Sequence, residues 1–316
     1  MSETAMESTR GVSGHKIVAV IPAYNEERFI GSVVLKARQY ADAVIVVDDG
    51  STDATGEIAQ AAGAIVVRHE HNRGKGAAFN TGFCKAREMT PEVVVTLDGD
   101  WQHRCEEIPT LARPVLEDGA DMVVGSRFLE VKSRIPGFRA LAIRALTMAT
   151  NIGSGLGLTD SQTGLRAFSP RVMETVTFRS GGFSVESEMQ FLAREHDLKV
   201  VEVPITCHYD DGPKRNPIPH WLQVLNGVLR LIGQYRPLLF FGVPGMGMLL
   251  FGLFWGARVV GIYRDTQILA VGYALLSVLL STLGSLSLFT GIILHSIRAL
   301  LLEMLGRFNK TGDAAV

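Results

Sequence analysis

Asp98-Gly99-Asp100, with Trp101 and Gln102 behind it, follows an apolar run at residues 93–97. Two carboxylates so close repel one another. A hard divalent cation, Mg²⁺ or Mn²⁺, relieves the repulsion through oxygens of Asp100 and the Gln102 amide, with coordination positions left for phosphate oxygens. A lone Asp-x-Asp string also occurs in solvated turns, so its neighbours decide its meaning. Ile21-Pro22-Ala23-Tyr24-Asn25-Glu26 closes one apolar run, and Val47-Asp48-Asp49-Gly50-Ser51-Thr52-Asp53 closes the next. Ser51 or Asp53 can cap a following helix. Capping leaves Asp48 and Asp49 unexplained, and carboxylates there can accept hydrogen bonds from the NH and OH groups of a base and a ribose. Asn72-Arg73-Gly74-Lys75-Gly76 follows another run and opens a helix. Its backbone N–H groups and Lys75 can hold an anionic or polar part of a nucleotide. The Gly-x-x-x-x-Gly-Lys spacing of a P-loop is missing.

These residues need elements that bring them together. Short apolar runs at 17–21, 43–47, 64–68 and 93–97 alternate with amphipathic segments at 27–40, 53–62 and 76–88. That alternation predicts a parallel α/β sheet, whose strands open their carboxyl ends onto one crevice. Strands at 122–125 and 199–203 and helices at 140–152 and 184–195 complete a globular unit over residues 17–210.

The balance of 31 Lys and Arg against 32 Asp and Glu leaves a net charge of -1, which gives no bulk attraction for nucleic acid. Cys84, Cys105 and Cys207 form no Cys-x-x-Cys pair and read as reduced cytosolic thiols. Residues 1–16 lack the pattern of a signal peptide and are expected to form a disordered lead-in. Mean hydropathy is +0.20 with 47% apolar residues, and the excess lies at the other end. No charge occurs from 238 to 257 or from 266 to 294. Each run is long enough to span a bilayer, predicting a hairpin over 238–297 with helices at about 238–258 and 266–294. Arg230, Arg236, Arg298, Arg307 and Lys310 flank its outer ends, against Arg258, Arg264 and Asp265 in the turn. This bias favours both termini inside, with residues 298–316 a cytosolic tail and the globular unit on the cytosolic side of an integral membrane protein. Residues 217–236 carry apolar positions at helical spacing from Trp221 to Ile232, as a juxtamembrane interfacial helix would. An ordinary helix packed on the globular unit is the alternative.

Taken in order, Ile-Pro-Ala-Tyr-Asn-Glu, Val-Asp-Asp-Gly-Ser-Thr-Asp, Asn-Arg-Gly-Lys-Gly, Asp-Gly-Asp-Trp-Gln and Gly-Ser-Arg-Phe resemble glycosyltransferase family 2. Within it they resemble the dolichyl-phosphate mannose/glucose synthase-like branch, over about residues 16–210. The resemblance implies a GT-A (Rossmann-like) nucleotide-sugar-binding domain, here with a C-terminal two-helix transmembrane hairpin. It implies that Pro22, Ala23, Tyr24, Glu26 and Asp49 contact the nucleotide, with Asp48, Lys75 and Gly99 in the same set. Asp98, Asp100 and Gln102 would surround the metal and donor diphosphate. Arg127, Arg139, Gln162 and Arg166 would lie near the acceptor phosphate and transferred sugar. Arg144 is an alternative to Arg139, and Gln162 departs from the Thr- or Ser-rich versions of its motif. Each arginine taken alone reads equally well as a solvated surface residue. Phe183-Ser184-Val185-Glu186 resembles the segment that brings an acidic residue to the active site, although Glu186 also suits a helix start. The eight histidines show no catalytic pairing, and His69, His71 and His103 read as loop or strand-end residues.

The expected chemistry is inverting, metal-dependent hexose transfer from a UDP- or GDP-linked sugar to dolichyl or another polyprenyl phosphate, supplying N-glycan or cell-surface glycan assembly. Asp98, Asp100, Arg127, Arg139 and Glu186 form the expected catalytic set. A processive polysaccharide synthase is disfavoured by the absence of Gln-x-x-Arg-Trp. A non-catalytic scaffold is disfavoured by the intact metal-site residues. The sugar, the base, the lipid and any homo-oligomer stay open.

Overall fold

Strands here are short and dense in Val and Ile. β1 (Ile17–Ala23) buries every residue except the half-buried Pro22, as a strand covered on both faces must. It pairs in parallel with β2 (Ala43–Asp48) and β4 (Val93–Thr96), and β2 pairs with β3 (Ile65–Arg68). β5 (Met122–Ser126) and β7 (Val200–Pro204) pair in parallel with each other. β6 (Arg166–Phe168) lies antiparallel between β4 and β5. In this computed structural model, which describes residues 16–129, 135–179, 184–207 and 217–312, the sheet order is β3-β2-β1-β4-β6-β5-β7. The expected lead-in, except Lys16, and Phe183 lie outside the described residues.

The sheet is therefore mixed, where the alternation of runs predicts a parallel one. β6 has only three residues, too few to show a period, and one of them is an arginine. On one face the core is closed by α1 (Ile30–Ala37), α2 (Thr55–Ala61) and α4 (Ile108–Asp118). On the other it is closed by α3 (Lys75–Arg87), α6 (Pro170–Thr175) and α7 (Val185–Glu195). α5 (Gly137–Ser154) packs beside α7. Sequence reading misses α4 because it carries prolines in its first turn and at Pro114.

α8 (Pro217–Tyr235) covers most of residues 217–236. Val224 and Val228 are buried, whereas Leu222 and Leu229 are exposed. The side chain of Trp221 lies outside the described residues. The chain divides into two units between Val228 and Leu229.

In the second unit a π-helical turn at Leu238–Gly242 leads into α9 (Val243–Thr266), and α10 (Val271–Gly312) follows. The stretches Leu238–Thr266 and Val271–Leu301 each reach a mean hydropathy of 1.9, yet only 17% and 11% of their most apolar windows are buried. A soluble core helix would bury that surface; these helices are long and apolar enough to cross a bilayer. The turn differs from expectation. α9 stays helical through Arg258 and Arg264, and Gln267 ends it at φ 56°. α10 runs unbroken past Arg298. Charge marks where apolar surface stops, and the backbone hydrogen bonds of a helix continue through it. α9 and α10 meet along small residues. A Cβ on Gly245 would lie 2.8 Å from the Gly284 carbonyl oxygen, and Ser277 Oγ donates to the Gly252 carbonyl at 2.7 Å.

Candidate active site

Parallel pairing brings the ends of β1, β2 and β4 to one edge, and the antiparallel β6 begins at that same edge. The loops after β1 and β2 are laced together there. Asn25 takes φ 55°, its N–H donates to Ser51 Oγ at 3.0 Å, and its Oδ1 accepts the Thr52 N–H at 2.9 Å. Glu26 N–H donates to Thr55 Oγ1 at 2.8 Å. Ser51 thus spends its hydroxyl on the β1 loop and does not cap α2. Asp53 does accept the Thr55 N–H at 3.0 Å as α2 begins. Pro22 and Glu26 are half-buried, Ala23 is buried, and the Tyr24 ring is exposed. Gly99 lies against the same loop: a Cβ there would sit 3.7 Å from Ala23 and from Glu26.

Adjacent strand residues point to opposite faces. Asp48 and Asp49 therefore diverge. Asp48 is fully buried, its Oδ1 accepting the Ser51 N–H at 2.9 Å and its Oδ2 lying 3.2 Å from Arg68 Nε. That position withdraws it from a base or ribose, contrary to expectation. Asp49 faces the α3 side, where His69 Nδ1 stands 2.6 Å from Oδ1. The N–H groups of Arg73 and Gly74 also donate to it, at 2.9 and 2.8 Å.

Gly74 takes φ 91° ahead of α3 and delivers Lys75 to the centre of the site. Lys75 Nζ lies 2.6 Å from Asp98 Oδ1 and 2.5 Å from Glu186 Oε1 in the first turn of α7. Burial opposes the lysine's charge, but Asp98 and Glu186 outweigh it and hold the ammonium well above its usual range. Burial likewise pushes Asp98 up, yet Lys75 and then His103 bring it down to about 2. Burial lowers His103 and favours its neutral ring, and Asp98 only partly offsets this. Close approach on the far side needs Gly164, where a Cβ would lie 2.5 Å from Asp98 Oδ2.

Asp100 is half-buried and its Oδ1 accepts the Gln102 N–H at 3.1 Å. Gln102 Oε1 accepts from Arg139 Nη2 at 3.3 Å. Arg139, near the start of α5, thus reaches the Asp98–Gln102 loop, whereas Arg144 lies over the Phe128 ring at 5.1 Å. No group of three or more His, Cys, Asp and Glu is arranged for a metal among the described residues. The oxygen donors of Asp98, Asp100 and Gln102 nonetheless fit a hard divalent cation, with Lys75 now on one oxygen of Asp98.

Beyond β5, Arg127 grips Asp160 by two edges, Nε to Oδ2 at 2.6 Å and Nη2 to Oδ1 at 2.8 Å. Gln162 donates to Ser187 Oγ at 3.0 Å and so ties this turn to α7. Arg166 departs from the expected phosphate contact. It is fully buried in the sheet, with Nε on the Thr163 carbonyl at 3.0 Å and Nη2 on the Ser161 carbonyl at 2.8 Å. Burial lowers it to about 10, and its guanidinium is spent on building the 161–163 turn.

The sequence profile of glycosyl transferase family 2 matches residues 18–177. The chain belongs to that family. The UDP-N-acetylglucosamine–dolichyl-phosphate N-acetylglucosaminyltransferase of Methanococcus voltae is 34% identical to it over 218 residues, 62% of this chain and 86% of that one. The undecaprenyl-phosphate mannosyltransferase of Micrococcus luteus is 32% identical over 206 residues, 60% and 83% of the two chains. Among solved structures, glucosyl-3-phosphoglycerate synthase from Mycobacterium tuberculosis with Mn²⁺, UDP and glucosyl-3-phosphoglycerate aligns at a TM-score of 0.54 and 25% identity. It covers 70% of this chain and 81% of that one.

In this glycosyltransferase two structural partners escape sequence reasoning. Glu202 on β7 accepts the N–H groups of Thr159 and Asp160, at 2.9 and 3.1 Å, and so fixes the residue that holds Arg127. His69 orients Asp49. Its only signal in the sequence is its place directly after a strand, since pairing across 20 residues has no period to detect.

Proposed function

We infer that this glycosyltransferase moves a hexose from a UDP- or GDP-linked donor to a polyprenyl (dolichyl) phosphate at a bilayer surface, with inversion at the anomeric carbon. One observation carries the reading: a single chain joins a crevice of acidic strand ends to two apolar helices with exposed surfaces. The activities of the Methanococcus and Micrococcus relatives support the acceptor class. In the same reading α9 and α10 cross the membrane, α8 lies at its interface, and the catalytic unit is cytosolic.

Tyr24, Pro22, Ala23 and Glu26 line the nucleotide side, with Gly99 close against them. Asp98, Asp100 and Gln102 would hold Mg²⁺ or Mn²⁺, which supplies charge neutralisation for a diphosphate; the Mn²⁺ in the neighbouring structure supports this. An acceptor phosphate oxygen is already anionic near neutral pH. It forms the new bond to the anomeric carbon as the bond to the nucleoside diphosphate breaks on the opposite face. Such a nucleophile needs orientation and charge compensation more than a strong base. Arg127, fixed by Asp160, and Arg139, beside Gln102, supply guanidinium groups of the right kind. Glu186 is paired with Lys75, which suits it to positioning the site.

The test is direct. Purified chain in detergent is incubated with Mn²⁺ or Mg²⁺, a polyprenyl phosphate and radiolabelled UDP- and GDP-sugars, and organic-phase label is counted. Metal-dependent label in the lipid phase is expected and identifies the donor. Label confined to water-soluble product, or none despite nucleotide binding, would overturn the lipid acceptor.

A further inference from the structure

We propose that His69 is a positioning residue for the nucleotide half of the site, acting through Asp49 on the loop of residues 72–74. The proposal rests on reading the crevice as a nucleoside diphosphate site. His69 directly follows β3, is 8% exposed, and is held at both edges of its ring. Nδ1 lies 2.6 Å from Asp49 Oδ1, and Nε2 lies 2.9 Å from Thr81 Oγ1 on α3. A carboxylate only accepts, so Nδ1 carries the proton. The Thr81 hydroxyl can donate or accept and serves Nε2 in either state.

Asp49 takes two further donors, the N–H groups of Arg73 at 2.9 Å and Gly74 at 2.8 Å. Its own N–H donates to the Ala23 carbonyl at 2.9 Å. A carboxylate offers about four acceptor positions. With three taken, Asp49 acts mainly as a strut that closes the loop over Gly50. Gly50 permits that approach: it takes φ 72°, and a Cβ on it would lie 2.7 Å from the Asn72 nitrogen. The closed loop ends at Gly74 and starts α3 with Lys75 in contact with Asp98 and Glu186. His69 supplies a side-chain donor to the strut, and the donors from Arg73 and Gly74 belong to the loop being held. Without it the carboxylate can turn with the loop, and the fixed start of α3 is lost.

The test uses the full chain in detergent with Mn²⁺, titrated calorimetrically with UDP and with GDP, beside thermal unfolding without nucleotide. His69→Phe is expected to weaken binding of the preferred nucleotide about tenfold, the worth of one charge-assisted hydrogen bond. His69→Asn carries an amide N–H in place of Nδ1–H and is expected to retain affinity within about threefold of the parent. Where the parent transfers sugar, donor KM should rise in His69→Phe with kcat nearly unchanged. Unaltered affinity in His69→Phe would overturn the proposal, as would equal weakening in His69→Asn and His69→Phe. A purely structural role would lower the unfolding temperature of both and leave affinity alone. Should His69→Phe fail to fold, Thr81→Val frees the far edge of the ring; about threefold weaker binding is expected, and unchanged binding would overturn the proposal. A parent that binds neither nucleotide would instead remove the reading of the crevice itself.

Discussion

Lys75 Nζ and Glu186 Oε1 stand 2.5 Å apart, joining the first turns of α3 and α7 across 111 positions of sequence. The same ammonium meets Asp98 at 2.6 Å, so one half-buried cation compensates two carboxylates. Lys75→Met should therefore destabilise the chain by about 3 kcal/mol, since removing one partner leaves buried charge uncompensated. Denaturant unfolding in detergent measures it. Adding Glu186→Gln to the variant should restore part of the loss, and an unchanged midpoint in Lys75→Met would contradict the ion pair.

Asp100 gives the opposite profile. It is half-buried and accepts the Gln102 N–H, so Asp100→Ala should leave unfolding within about 0.5 kcal/mol of the parent. Sugar transfer should fall at least about a hundredfold, because one of the oxygen donors proposed for a divalent cation is gone. Parent-like initial rates with saturating Mn²⁺ would remove Asp100 from the metal site.

Two arginines from one expected set should now separate. Arg139 is exposed beside Gln102, and Arg139→Ala should raise the polyprenyl phosphate KM about tenfold with little change in donor KM. Arg166 is buried on the carbonyls of Thr163 and Ser161. Arg166→Ala should cost about 3 kcal/mol of stability through a cavity and two orphaned acceptors. Acceptor kinetics and thermal unfolding of both variants decide the point.

Acid should loosen the turn that holds Arg127. Burial raises the Asp160 carboxyl, but Arg127 outweighs it, and the group ends below its ordinary value. A depressed carboxyl adds stability that is fully present above the unfolded value, near pH 4, and is lost as pH falls through the lower folded value. Unfolding midpoints from pH 7 to pH 2 should fall more gently on the acid side in Asp160→Asn than in the parent. Parallel curves would show that Asp160 carries none of the acid dependence.

The helix hairpin has its own test. A Cβ on Gly284 would meet the Gly245 carbonyl oxygen at 2.7 Å, so Gly284→Leu should force α9 and α10 apart. Paired cysteines at facing positions should cross-link in the parent background and lose that cross-link in the variant.

Much of the candidate site was legible in the sequence, for a definite reason. Strand and helix periods are local, and in a parallel sheet the residue after each apolar run must come to one edge. Pro22 to Glu26, Asp98 to Gln102 and Lys75 could therefore be assigned to one crevice from spacing alone. The two apolar runs were legible too, because absence of charge over a bilayer's length is a property of composition.

Side-chain direction was not legible. Asp48 and Asp49 are chemically equal neighbours, and only the pleat of β2 sends one to Arg68 and the other to His69. Arg127 and Arg166 look alike in the sequence and both are buried, yet Arg127 pairs with Asp160, whereas Arg166 on the antiparallel β6 is spent on the carbonyls of Thr163 and Ser161. The pairing of Lys75 with Glu186, and of His69 with Asp49, depends on long-range packing that leaves no periodic trace. The sequence by itself determined which chemical groups gather at the edge and that an apolar pair of helices follows. Tertiary structure decided which of those groups face the crevice and which are spent holding it, because that choice depends on sheet order and on contacts between distant elements.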